Sequence, residues 1–169
     1  MSVAIRIVGI DPGLQRTGWG VIDVAGNDLR FVAAGSIAPP GGGSLAGRLV
    51  VLHDELARIM RSLSPGEAAV EETFVSVNAR SSLKLGQARG VALLVPALAG
   101  LTVAEYAPNV IKKSIVGAGH AEKGQIRLMV SVLMPKADFD SDDAADALAV
   151  AITHAHWRKK AVLSAAAWS

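Results

Sequence analysis

Three strand-like runs fill the start of the chain: Val3–Ile10 (VAIRIVGI), Thr17–Val24 and Leu29–Ala38. The first stops at Asp11-Pro12-Gly13, and the second and third join through Gly26-Asn27-Asp28. Both connections have turn chemistry, because Gly and Asx residues accept backbone conformations that β-branched residues resist. The chain therefore opens as an antiparallel meander.

Beyond the meander, helix alternates with strand. Pro39-Pro40-Gly41-Gly42-Gly43-Ser44 is a loop that leaves Ser44 as a helix cap. Leu45, Leu49, Leu52, Leu56, Ile59 and Leu63 recur at spacings of four and three, the apolar stripe of a helix ending near Ser64-Pro65-Gly66. Glu67–Glu72 reads as a fourth strand, Phe74–Arg80 as a loop, Ser81–Gly100 as a long helix with Pro96 near its far end, and Leu101–Tyr106 as a fifth strand. Pro108–Val116 is a short helix opened by Pro, and Lys123–Met134 another. The last helix, Asp143–Lys160, has acids at its start and Arg158, Lys159 and Lys160 at its end, as the helix dipole favours. A meander and then such alternation predicts an α/β domain over residues 1–160, a five-stranded mixed sheet flanked by helices, with a C-terminal tail at 161–169 that is a candidate for disorder or a partner contact.

The 169 residues make one domain, and 51% hydrophobic against 19% charged residues supports a packed core. The absence of Cys removes disulfides, thiolate metal sites and thiol nucleophiles, so any chemistry uses oxygen and nitrogen groups. The longest uncharged apolar stretch, Gly90–Ala104, is shorter than the ~18 residues of a membrane span. With no basic leader and no cleavage signal at the N-terminus, the expectation is a cytoplasmic protein without a membrane partner.

Charge distribution is more informative than the net +2 from 17 Lys+Arg and 15 Asp+Glu. Phe74–Ala137 carries eight bases (Arg80, Lys84, Arg89, Lys112, Lys113, Lys123, Arg127, Lys136) and two acids (Glu105, Glu122). Asp138, Asp140, Asp142, Asp143 and Asp146 come directly after. This is the pattern of a phosphate-binding surface around a metal centre, and equally of a solvated basic face beside an acidic loop.

Four carboxylates stand out by position. Asp11 ends the first strand, Glu71 ends the fourth after the apolar run Ala68-Ala69-Val70, and Asp143 and Asp146 share a helix face at spacing three. Taken singly they read as a turn residue, a strand-end acid and helix N-terminal charge. Converging on one sheet edge, they would repel unless cations lay between them, and oxygen-only ligation suits magnesium or manganese. Two divalent ions ~3.5–4 Å apart form the clamp that cleaves phosphodiesters.

The order and spacing of several motifs carry a family resemblance. They are Gly9-Ile10-Asp11-Pro12-Gly13 with Thr17-Gly18-Trp19-Gly20; Val70-Glu71 and then Phe74; Leu83-Lys84-Leu85-Gly86-Gln87-Ala88-Arg89-Gly90; Glu105-Tyr106; Ala121-Glu122-Lys123; and Asp143-Ala144-Ala145-Asp146-Ala147-Leu148-Ala149. From Ile7 to about His154 the chain resembles the RuvC family of Holliday junction resolvases. The resemblance implies an RNase H-like three-layer fold and a homodimer that nicks opposed strands of four-way junction DNA, in recombination and repair. It implies two Mg2+ per site, with Mn2+ able to substitute, and RuvA and RuvB as branch-migration partners. Asp11, Glu71, Asp143 and Asp146 match the metal-binding acids, and some relatives place His where Asp146 stands. Phe74 matches an aromatic that wedges beside junction bases, a known device for unstacking base steps. Lys112 and Lys123 match lysines near the scissile phosphate, Lys123 also placed to neutralise transition-state charge. Asn78, Arg80, Lys84 and Arg89 would contact DNA. Arg80 and Lys84 share a helix face, whereas Arg89 points partly elsewhere and could serve the dimer. His120 and His154 are assigned loop and core-edge roles.

Two other functions use parts of this pattern. Sugar kinases and actin-like ATPases also place an Asp beside glycines after their first strand, but need a second phosphate-binding domain for which 169 residues leave little room. A branched-DNA-binding module would keep the basic surface without cutting.

Overall fold

In the computed structural model the described backbone comprises residues 3–13, 15–73, 77–117, 122 and 124–166, with side chains described up to residue 158. The strands are β1 (Ile5–Asp11), β2 (Thr17–Ala25), β3 (Asp28–Ile37), β4 (Glu67–Glu71) and β5 (Thr102–Tyr106). The helices are α1 (Leu45–Leu63), α2 (Ala79–Leu98), α3 (Pro108–Val116), α4 (Gln125–Leu133) and α5 (Asp142–Ala166).

One mixed sheet has the order β3-β2-β1-β4-β5. The β1–β2 and β2–β3 pairs are antiparallel, as the turn chemistry requires, while β4 and β5 run parallel to β1 and are reached through α1 and α2. Alternating side chains fill two cores. Val8, Ile10, Val21, Ala68 and Val70 pack against Leu52, Leu56 and Ile59 of α1 and Ala88, Ala92 and Val95 of α2. Ile7, Ile22, Val24 and Ala69 pack on the opposite face against Ile111, Ile115, Val130 and the apolar run Leu148–Ile152 of α5. The result is the expected three-layer arrangement.

Local signals set the helix starts. Ser44 caps α1, its hydroxyl oxygen accepting from the Gly47 amide at 3.1 Å. Asn78 caps α2, its side-chain oxygen accepting from the Ser81 amide at 3.1 Å, so α2 begins two residues earlier than the periodicity alone indicates. The α5 backbone continues to Ala166, so no break in the helix marks the tail boundary drawn at residue 161. Among the described residues no helix is long and apolar enough to cross a membrane.

Candidate metal and DNA site

Strand parity decides where the carboxylates go. On β1, Ile7 faces α5, so Gly9 and Asp11 share that face; on β4, Ala69 faces α5, so Glu67 and Glu71 do too. Both acids thus meet the first turns of α5, which carry Asp143 and Asp146. The glycines of β1 and β2 let that helix come close. Gly9 and Gly20 pair across the ladder, as do Asp11 and Gly18. A Cβ at position 9 would overlap the Ala147 carbonyl, and one at position 20 would lie 2.7 Å from Leu148 Cδ2.

The electrostatics show the four acids acting on one another. Burial and then the charge of Glu71, a hydrogen bond with it, and the charge of Asp143 push the Asp11 carboxyl up to about 9. Burial and the charge of Asp146 raise Glu71, while its hydrogen bond with Asp11 and the nearby Lys112 pull it down. Burial first, then Asp11, Asp142 and Asp143, push Asp146 up to about 7, against Lys112. Asp11 and Glu71 therefore share a proton at neutral pH, and Lys112 on α3 supplies positive charge to both Glu71 and Asp146. Among the described residues, no group of three or more His, Asp or Glu side chains stands close enough together to hold a metal ion as the side chains lie. The donor set nevertheless fits hard divalent cations: it is all oxygen, half-buried, and carries more negative charge than Lys112 balances. Cations there would take the place of the protons that the crowded carboxyls otherwise retain.

The other expected site residues separate into distinct groups. Arg80 and Lys84 lie exposed on the first turns of α2. Lys84 borders a cavity of about 320 Å3 that Gln15, Thr17, Arg48 and Ser81 also line, beside the loop leaving Asp11. Asn78 commits its side-chain oxygen to capping α2. The Arg89 guanidinium pairs with Glu105 on β5, and its Nε is buried without a hydrogen-bond partner. The physical reason is parity again, since Glu105 projects from β5 toward α2 whereas Tyr106 projects toward α5. Phe74, Lys123 and His120 lie outside the described residues.

His154 sits at the core edge, as expected. Burial lowers its affinity for a proton despite the neighbouring Glu67, so the ring is neutral. Its Nε2–H donates to Glu67 Oε2 at 2.8 Å and Nδ1 accepts from the Tyr106 hydroxyl at 2.8 Å, the one tautomer that satisfies both partners. Arg158 also donates to Glu67, at 3.1 Å from Nε. This network joins β4, β5 and α5 on the sheet face that carries the acids.

Two features had only faint sequence signals. Arg127 on α4 donates to Asp142 Oδ1 at 3.0 Å and lies over the Phe139 ring with Cζ 5.3 Å from its centroid, bracing the segment that leads into Asp143. Gly18 is one letter in the motif Thr17-Gly18-Trp19-Gly20, and its place beneath α5 emerges only in three dimensions.

Comparison with known proteins agrees with this geometry. The family model for crossover junction endodeoxyribonuclease RuvC matches residues 7–154. The chain belongs to the RuvC family. Crossover junction endodeoxyribonuclease RuvC of Sinorhizobium fredii is 61% identical over 159 residues, covering 94% of each chain. RuvC of Agrobacterium fabrum is 63% identical over 158 residues, covering 94% of this chain and 93% of its own. Among solved structures, T. thermophilus RuvC in complex with a Holliday junction substrate superposes with a TM-score of 0.85 at 29% identity, covering 93% of this chain and 96% of that one. The yeast mitochondrial Holliday junction resolvase Ydc2, at 14% identity and a TM-score of 0.57, shares the fold. The RNase H-like expectation for a RuvC chain is thereby met.

Proposed function

We propose that this chain is a Mg2+-dependent endodeoxyribonuclease that resolves Holliday junctions by paired nicks in opposed strands, leaving 5′-phosphate and 3′-hydroxyl ends. The observation that carries the reading is the meeting of Asp11, Glu71 and Asp146, under the charge of Asp143, at one sheet edge in a chain of the RuvC family.

Asp11, Glu71, Asp143 and Asp146 would hold two Mg2+, or Mn2+ in its place. When bound, the ions supply an activated water and charge stabilisation at both reacting oxygens of the phosphodiester. The protein's share is positioning. The strand ends fix Asp11 and Glu71, α5 fixes the other two, and Lys112 offers a cation beside the scissile phosphate. Lys123 would serve the same phosphate, and Phe74 would wedge beside the junction bases; both assignments rest on their matching positions in the family motifs. Arg80 and Lys84 would grip backbone phosphates, which orient DNA without reading sequence.

A homodimer fits the outer face of α2. Leu83, Leu94 and Leu98 are exposed along one stripe opposite the side that Ala88, Ala92 and Val95 bury, and a Cβ at Gly86 or Gly90 would meet nothing within 4 Å. A two-fold partner on this stripe would cover the leucines and present two equivalent sites to a junction. Action in the cytoplasm with RuvA and RuvB, in recombination and repair, completes the reading.

The test is a synthetic four-way junction with Mg2+. Paired, symmetric nicks with 5′-phosphate ends are expected, and Asp11→Asn and Glu71→Gln should bind without cutting. Cleavage retained in those variants would overturn the metal-site assignment. Binding without cleavage by the unaltered protein under every divalent ion would favour a branched-DNA-binding module.

A further inference from the structure

We propose that Gly18 is a positioning residue for the acidic centre: its missing side chain is the space in which the Asp143 backbone rests, directly across the strand ladder from Asp11. The inference rests on the metal-site reading above and adds to it the element that sets the spacing between two of the carboxylates.

Three observations carry it. First, Gly18 is the cross-strand partner of Asp11 in the β1–β2 register, so its backbone is fixed relative to one carboxylate. Second, a Cβ at position 18 would overlap the Asp143 carbonyl oxygen, and would lie 2.6 Å from its carbonyl carbon and 3.3 Å from its Cα. Every atom met is backbone of the acid-bearing turn, and backbone in a hydrogen-bonded helix cannot rotate aside as a side-chain end can. Third, Gly18 is not among the positive-φ glycines, so glycine is needed here for space and not for conformation. Gly20 provides the internal contrast. A Cβ there would meet Leu148 Cγ and Cδ2, each at 2.7 Å, and the Leu148 amide nitrogen at 2.9 Å, more than a helical turn beyond Asp143.

An added methyl at position 18 must therefore push the first turn of α5 off the sheet edge and carry Asp143 away from Asp11. The rest of α5 is held by Leu148, Val150, Ala151 and Ile152, all buried in the core, so the helix stays docked while its first turn shifts. Groups that orient metal ligands without touching the metal typically change affinity by ~10–100-fold when altered.

The experiment compares Gly18→Ala, Gly20→Ala and Asp143→Asn with the unaltered chain. Mn2+ affinity is measured by calorimetry, fold by circular dichroism and thermal melting, junction affinity in chelator, and the Mg2+ dependence of cleavage by nicking assay. For Gly18→Ala we expect a folded protein with Mn2+ affinity reduced ~10-fold or more, a matching rise in half-saturating Mg2+, and junction affinity within about twofold. Gly20→Ala should lose at least as much thermal stability and keep its Mn2+ affinity within about threefold, well short of the loss typical of ligand-orienting groups. Mn2+ affinity unchanged in Gly18→Ala would overturn the proposal, as would equal losses of affinity in both glycine variants, or failure of Gly18→Ala to fold, since each makes Gly18 a general support. If Asp143→Asn instead binds Mn2+ and cleaves like the unaltered chain, the metal-site reading itself has failed.

Discussion

Arg127 hydrogen-bonds Asp142, the residue immediately before Asp143, so α4 braces the first turn of the acid-bearing helix. The pair is exposed, and exposed ion pairs contribute less than ~1 kcal/mol, with a similar ~0.5–1 kcal/mol from a cation over an aromatic ring such as Phe139. Arg127→Ala should therefore lower the melting temperature by only about 2–4 °C, and the difference should shrink in high salt. A salt-independent drop of about 10 °C, well beyond that range, would mean that Arg127 supports the core.

The Asp11 carboxyl weakens the fold. A half-buried carboxylate pressed by Glu71 and Asp143 disfavours the fold, so Asp11→Asn should melt at least ~2 °C higher than the unaltered protein in chelator. It should cleave junctions ~10³-fold more slowly, or not at all, and lose the stabilisation that Mg2+ gives the unaltered chain. Melting curves with and without Mg2+ check both halves, and a variant still stabilised by Mg2+ contradicts the ligand assignment.

The network of Glu67, His154, Tyr106 and Arg158 predicts acid sensitivity in two windows. The neutral His154 ring is favoured in the fold, so its own contribution to stability falls as pH drops below about 6.5 toward the lower folded value, against the opposite trend set by the raised Asp11 and Asp146 carboxyls. Arg158, chiefly, and His154 hold Glu67 below its usual range, so its contribution is complete above about 4.5 and is lost as pH falls through the folded value. In urea titrations across this range, His154→Gln should shrink the upper window, to which His156, also held down by burial, contributes, and leave the lower one. Identical pH dependence in the variant and the unaltered chain would contradict this.

Lys84 and Lys112 should fail differently. A phosphate contact contributes about 0.9 to the slope of log affinity against log salt, so Lys84→Ala should bind junctions more weakly, with a slope reduced by about that amount. Lys112 sits against Glu71 and Asp146, and Lys112→Ala should retain most junction affinity while cleavage falls ~10²–10³-fold. Binding isotherms at several salt concentrations, with single-turnover nicking, separate the two.

Local pattern foretold local structure. The leucine stripe and Ser44 cap delimited α1 at Leu45–Leu63, and Pro108 announced α3 at Pro108–Val116. The four acids could be picked out because strand ends and helix starts are themselves local signals. Relationships spanning the chain were hidden. Glu67 and His154 are 87 positions apart, and nothing near Glu67 in sequence indicates a histidine partner. The family resemblance offered Arg89 as a DNA contact or a dimer residue; its partner Glu105 becomes a neighbour only when β5 docks beside β4. Gly18 shows the same limit, since the space it leaves has meaning only once α5 lies across it.

Asp11 and Glu71 stand on alternating strands whose opposite faces lead into different cores. Adding or deleting a single residue within β1 or β4, between the paired core and the terminal acid, would turn that carboxylate toward α1 and α2. The acidic edge can therefore drift in sequence only by substitution or by steps of two, whereas the loop at 39–44 lies outside both strands and is free of that parity. Insertions among natural variants should respect that arithmetic, making strand length an inherited constant of the enzyme and loop length its variable.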